Sequence, residues 1–134
     1  LLTEQRPKLS AQQHCTLREY KSKAEHYLCS CLNLHPHNSS NVYRTPGGLL
    51  FVRQWNNLQY VASAAFLLAT YSDHLTSHHL YLHCPSDSSV PPSALLALSR
   101  SQADYILGMN PNHLSYLVGF SSSFPNACIT APLP

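Results

Sequence analysis

The chain has 134 residues, 44% of them hydrophobic and only 10% charged, with eight Lys plus Arg against six Asp plus Glu and a formal charge of +2. That is enough apolar material for one globular unit and too little charge for a disordered chain. Arg6, Lys8, Arg18, Lys21 and Lys23 gather near the start without forming a basic stripe interleaved with aromatics, which argues against a nucleic-acid partner.

Thr16-Leu17-Arg18-Glu19 is a capping-box pattern and predicts a helix start. Leu17, Tyr20, Ala24, Tyr27, Leu28, Cys31 and Leu32 recur at helical spacing, giving an amphipathic helix over 16–32. A polar loop follows from His35 to Asn41, and 42–53 reads as loop or short extended chain around a tight turn at Thr45-Pro46-Gly47-Gly48. From 56 to 75 the chain carries no charge until Asp73, so this helix is apolar on nearly every side and calls for burial on nearly every side. Segment 76–92 is rich in His, Ser and Pro and reads as loop. Ser93 is the expected N-cap of a third helix that stops at Gly108, with Pro111 beyond.

The sum is an all-α design with irregular connections. Three helices cannot cover one another when the middle one is apolar all round. The chain therefore reads as one fragment, 1–134, of a larger helical array, irregular over 1–15 and 126–134, and expected on its own to be poorly soluble or molten. No run approaches the roughly 18 apolar residues of a membrane span, and no leader pattern is visible. The five cysteines, Cys15, Cys29, Cys31, Cys84 and Cys128, are odd in number, contain no Cys-x-x-Cys pair and leave pairing open. Asn38-Ser39-Ser40 is an N-glycosylation sequon.

Few residue patterns carry chemistry. His74, His78, His83 and Cys84 lie close in sequence, and imidazole and thiolate are good zinc ligands, yet their spacing matches no zinc-finger pattern. No Gly-x-Ser-x-Gly nucleophile turn exists, and Gly47-Gly48 lacks the Lys and spacing of a phosphate loop. Asp73, Asp87 and Asp104 are available as acids, but those on helices beside apolar residues suit structural roles. Trp55, the only Trp, sits among Arg53, Gln54, Asn56, Asn57 and Gln59. An indole face with nearby amides suits a sugar ring, whose C–H groups stack on the aromatic while its hydroxyls bond the amides. The alternative for Trp55 is a core anchor.

The stretch Arg44-Thr45-Pro46-Gly47-Gly48-Leu49-Leu50-Phe51-Val52-Arg53-Gln54-Trp55-Asn56-Asn57-Leu58-Gln59-Tyr60 resembles plant endo-β-1,4-glucanases of glycoside hydrolase family 9. The resemblance continues through Ala65-Phe66-Leu67-Leu68 and Tyr71-Ser72-Asp73, and resumes at Ser101-Gln102-Ala103-Asp104-Tyr105-Ile106-Leu107-Gly108, Asn110-Pro111 and Ser115-Tyr116-Leu117-Val118-Gly119-Phe120. It implies a partial (α/α)₆ barrel, about three helices of a six-hairpin toroid. It also implies a secreted, cell-wall hydrolase of cellulose and related β-1,4-glucans. No cofactor or metal is expected.

By the same resemblance Trp55 is a glucose-binding platform and Gln59, where some members carry Arg, is a subsite contact. The family's His-x-Arg signature is replaced here by residues of the segment Asn126-Ala127-Cys128-Ile129-Thr130-Ala131, and Met109 alters its Asp-Asn-Pro. Inverting hydrolysis needs one carboxylate to activate water and another to protonate the leaving oxygen. The family's paired acids belong to segments outside these 134 residues, so no catalytic residue is assigned and the chain is expected to be silent. Two further expectations stand beside this one: a non-catalytic glucan-binding remnant using Trp55, and a His-rich metal-binding module using His74, His78 and His83.

Overall fold

The computed structural model describes residues 10–36, 40–86 and 88–125. Its elements are helix α1 (Ala11–Cys31), strands β1 (Tyr43–Arg44) and β2 (Leu50–Phe51), helix α2 (Asn57–Ser77), strands β3 (Leu82–His83) and β4 (Ser89–Val90), and helix α3 (Pro92–Leu107). Each strand pair is an antiparallel two-residue hairpin. The helical class expected from the sequence holds, and the loops at 42–53 and 76–92 each contain one of these hairpins.

Helix α1 begins five residues before the expected start. The chain offers two capping-box patterns, and the earlier one prevails: Ser10 Oγ accepts from the Gln13 N–H at 3.2 Å while Gln13 Oε1 accepts from the Ser10 N–H at 2.8 Å. Thr16 lies inside the helix and its hydroxyl donates to the Gln12 carbonyl at 3.1 Å. Residues 11–15, expected to be irregular, are therefore helical; 1–9 and 126–134 lie outside the described residues. The apolar stripe of α1 is also covered only at its end. Leu28, Cys29, Ser30 and Cys31 are buried, whereas Leu17 and Tyr20 are 51% and 61% exposed, because only the last turns of the helix pack on the rest of the chain.

Three bonds hold that end in place. The Cys29–Cys84 disulfide joins it to the residue after β3, the Tyr71 hydroxyl of α2 donates to Glu25 Oε1 at 2.6 Å, and Arg44 Nη2 donates to the Cys31 carbonyl at 2.8 Å. Cys15 is free and exposed, Cys31 is free and buried, and Cys128 lies outside the described residues.

Helices α2 and α3 pack along one another. Val61, Ala64, Leu68 and Leu75 of α2 and Leu95 and Leu98 of α3 belong to one buried cluster with Leu28, Leu50 and Leu82. Small hydroxyls let the two backbones approach: Ser99 Oγ donates to the Ala65 carbonyl and Ser72 Oγ to the Pro92 carbonyl, each at 2.7 Å. The opposite side of α2 is bare, with Phe66 72% exposed, so the all-round burial its composition calls for is not supplied within this chain. Helix α3 starts before Ser93, with Pro92 at a first-turn position where its missing N–H costs nothing. It ends as expected at Gly108, whose φ of 122° and the bond from Met109 N–H to the Asp104 carbonyl at 2.9 Å close the helix in a Schellman-like turn. Among the described residues no helix is long and apolar enough to cross a membrane.

Candidate functional site

The first hairpin and the start of α2 form the surface that carries Trp55. In the turn, the Gly48 N–H donates to the Thr45 carbonyl at 2.8 Å and the Leu49 N–H to Thr45 Oγ1 at 3.1 Å. A Cβ on Gly47 would stand 3.0 Å from Pro111 and 3.1 Å from the Tyr105 ring, so the turn lies directly on the end of α3 and the segment after it. Gln102, on α3 and 1% exposed, fastens the hairpin from beneath: its Oε1 accepts from the Leu50 N–H at 2.8 Å and its Nε2 donates to the Gly48 carbonyl at 3.2 Å.

From β2 the chain turns into α2 around Asn57. Its Oδ1 accepts from the N–H groups of Val52 and Arg53 at 2.9 and 3.2 Å, and its Nδ2 donates to the Leu50 carbonyl at 2.8 Å. Asn56, the N-cap residue, takes a left-handed conformation with φ of 50° that Asn tolerates better than most residues. Arg53 lies over the Tyr60 ring at 5.5 Å. The result is a short arm, 52–56, held at both ends and presenting Trp55 at 61% exposure. Trp55 is thus not a core anchor.

Beside this arm lies an open groove of ≈ 430 Å³ lined by Leu49, Asn56, Asn57, Leu58, Gln59 and Tyr116. Gln59 lines it; Trp55 is not among the lining residues and adjoins the groove only in sequence, through Asn56. Tyr116 is the wall that residue chemistry missed. It comes from beyond α3, where Asn110 shapes the chain by donating to the carbonyls of Tyr105 and Leu114, both at 2.7 Å, and accepting from the Asn112 and Leu114 N–H groups. The Tyr116 N–H then donates to the Ile106 carbonyl at 2.8 Å, and its ring lies parallel to that of Tyr105, 6.4 Å away. The signal that could have found it was the Ser115-to-Phe120 motif. Gln59, two asparagines and a tyrosine around an open floor can meet the hydroxyls and C–H faces of a sugar, and among the described residues no carboxylate lines the groove.

The other sequence features fall elsewhere. Cys84 is spent in the disulfide and His83 lines a cleft with Glu25 and His26, so the expected three-histidine metal module is not assembled. Among the described residues no group of three or more His, Cys, Asp or Glu is placed to hold a metal ion. Asp73 and Asp104 are exposed on α2 and α3, and Asp87 and the sequon Asn38 lie outside the described residues. Burial and the neighbouring Cys31 push the Tyr27 phenol up to about 12, burial raises the Cys31 thiol, and burial with the Glu25 hydrogen bond raises the Tyr71 phenol. All three sit at the α1 junction and not at the groove.

Comparison with known proteins places this geometry. Residues 1–132 match the model of glycosyl hydrolase family 9. Endoglucanase 5 of Oryza sativa subsp. japonica is 50% identical over 93% of this chain and 25% of its own length, and Endoglucanase 5 of Arabidopsis thaliana is 49% identical over 82% and 17%. Among solved structures, endoglucanase CelQ of Clostridium thermocellum, complexed with cellobiose and cellotriose, is 31% identical with a TM-score of 0.61 over 80% of this chain and 16% of that one. The catalytic domain of CelT from the same organism is 27% identical with a TM-score of 0.58 over 78% and 17%. The chain thus spans a quarter or less of the length of these relatives, and its three helices form part of an (α/α)₆ barrel. With its whole length but two residues matched, the chain belongs to glycosyl hydrolase family 9.

Proposed function

We propose that this chain is a glucan-binding part of an endo-β-1,4-glucanase, in which Trp55 stacks on a glucose ring and Gln59 and Tyr116 bond its neighbours along the groove. The observation that carries this is an open groove lined by Asn56, Asn57, Gln59 and Tyr116, next in sequence to the exposed indole of Trp55, on a frame shared with an endoglucanase complexed with cellobiose and cellotriose. The complete enzyme cuts internal β-1,4 bonds with inversion, using two carboxylates outside these 134 residues. The chain by itself binds and does not hydrolyse. Its ligand is a neutral β-1,4-glucan and not a nucleic acid, in keeping with the low charge.

A secreted, cell-wall setting is part of the same proposal. The Cys29–Cys84 disulfide is in keeping with an oxidising compartment. The test is native electrophoresis through gels containing soluble cellulose derivative, paired with a reducing-end assay. The chain is first required to give a sharp thermal transition as a monomer, against the molten state expected from its uncovered α2 face; it is then retarded, Trp55→Ala migrates as in a glucan-free gel, and no reducing ends form above a buffer blank. Equal migration of both proteins with and without glucan contradicts binding, and turnover above the blank contradicts silence.

A further inference from the structure

The last turns of α2 carry a pair of imidazoles that the glucan groove does not use. His74, in the last turn of α2, and His78, its C-cap residue, are four residues apart and both exposed, with ring centroids 4.4 Å apart and planes inclined by 41°. That is the spacing by which a single helix offers two ligands to one zinc ion. The second observation concerns the tautomer. His78 Nδ1 lies 2.8 Å from the His74 carbonyl oxygen, an acceptor only, so Nδ1 carries the proton and donates it. This leaves the His78 Nε2 lone pair outward, the arrangement in which a metal-bound histidine gives its other N–H to a backbone carbonyl. The site also lies at the C-terminal end of α2, where the helix dipole favours positive charge.

From these observations we infer that His74 and His78 form a bidentate surface site for a borderline divalent transition metal, Zn²⁺ in the first instance, with water completing the coordination. Two imidazole nitrogens on one zinc stand about 3.4 Å apart at ordinary Zn–N lengths in tetrahedral geometry, which the exposed His74 ring reaches by turning about its own side-chain bonds while His78 keeps its bond to the His74 carbonyl. His83 is not a third ligand, because it lines the cleft beside Ser22, Glu25 and His26. The bound ion bridges the last turn of α2 and tightens the helix end that leads into the disulfide-tied hairpin.

The test is calorimetric titration of the whole chain with Zn²⁺ near pH 7.5, about one unit above the ordinary imidazole value. His74→Ala, His78→Ala, the double variant and His83→Ala are run beside the parent, with helical content checked by circular dichroism. The expected result is one strong equivalent per chain, weakened by about tenfold or more in either single variant, the scale on which even outer-shell partners act. The double variant loses little beyond either single one, because removal of one ligand already abolishes chelation, and His83→Ala binds as the parent. Unchanged affinity in either single variant, or equal loss in His83→Ala, overturns the inference. A Zn²⁺ titration of the unmodified chain followed by proton NMR decides without any variant. The ring signals of His74 and His78 must shift together at the first equivalent, and movement of other histidines in their place contradicts the site.

Discussion

The side chain of Gln102 and the backbone of Leu50, 52 residues apart in sequence, are joined by a 2.8 Å hydrogen bond in a fully buried setting. This contact, with the second bond to the Gly48 carbonyl, makes α3 the foundation of the hairpin on which the glucan groove rests. Gln102→Leu keeps the volume but leaves the Leu50 N–H and the Gly48 carbonyl without their partner. The expected cost is about 1–3 kcal/mol, the scale of unsatisfied buried polar groups. Urea unfolding of parent and variant measures it, and an unchanged midpoint would show that the hairpin does not depend on this residue.

Asn57 separates positioning from stability. Its three hydrogen bonds set the Trp55 arm, yet Trp55 itself is exposed. Asn57→Ala is expected to weaken glucan affinity while lowering the unfolding free energy by only about 1 kcal/mol, because the Arg53 N–H it frees is exposed and the Val52 N–H and Leu50 carbonyl are only partly buried. Affinity electrophoresis together with urea unfolding gives both numbers.

The Cys29–Cys84 disulfide spans 55 residues and is the covalent tie between α1 and the second hairpin. In the chain-entropy picture a loop of this length contributes about 4 kcal/mol, with measured values commonly about 2–4. Reduction, or the paired substitution of both cysteines by Ser, is expected to lower the thermal midpoint and to release α1 first. Hydrogen exchange read residue by residue tests the order of release: amides of 11–28 must lose protection before those of α2 and α3.

Alkaline pH acts on the same junction. The Tyr27 and Tyr71 phenols and the Cys31 thiol all have folded-state values raised above their ordinary ones, so the unfolded chain gives up these protons first. Their contribution is fully present below the ordinary values of 9.0 for the thiol and 10.0 for the phenols, and is lost as pH rises toward the raised ones, about 12 for Tyr27. Helical signal followed from pH 8 upward is expected to fall above about pH 9–10. In Tyr71→Phe the fall becomes shallower, and a fall with unaltered steepness would remove Tyr71 from the account.

Helix α2, the C-terminal stop of α3 at Gly108 and the tight turn at 45–48 were all legible in the sequence, because an uncharged apolar run, a positive-φ glycine and a Pro-Gly-Gly step are local signals. The start of α1 was not, because two capping boxes competed and the sequence ranks neither. The burial of α1 misled as well: periodicity marks an apolar stripe at Leu17 and Tyr20 but cannot say whether anything in the chain covers it. The disulfide and the roles of Gln102 and Tyr116 depend on contacts between segments dozens of residues apart. Of the site, Trp55 and Gln59 were visible as an aromatic among amides. The groove that Gln59 lines depends on Tyr116, brought in from beyond α3, a contact between segments that no local signal carries.

The most direct test of the account uses the fact that Trp55 is the only tryptophan in the chain. Its fluorescence is titrated with cellotetraose in the monomeric parent, in Gln59→Ala and in Tyr116→Ala, with α-linked maltotetraose as the comparison sugar. A saturable change is expected for cellotetraose and none for maltotetraose. The affinity is expected to fall about tenfold in Tyr116→Ala, equivalent to about 1.4 kcal/mol. Emission indifferent to cellotetraose, or a response identical for both sugars and both variants, would contradict a glucan site at this groove.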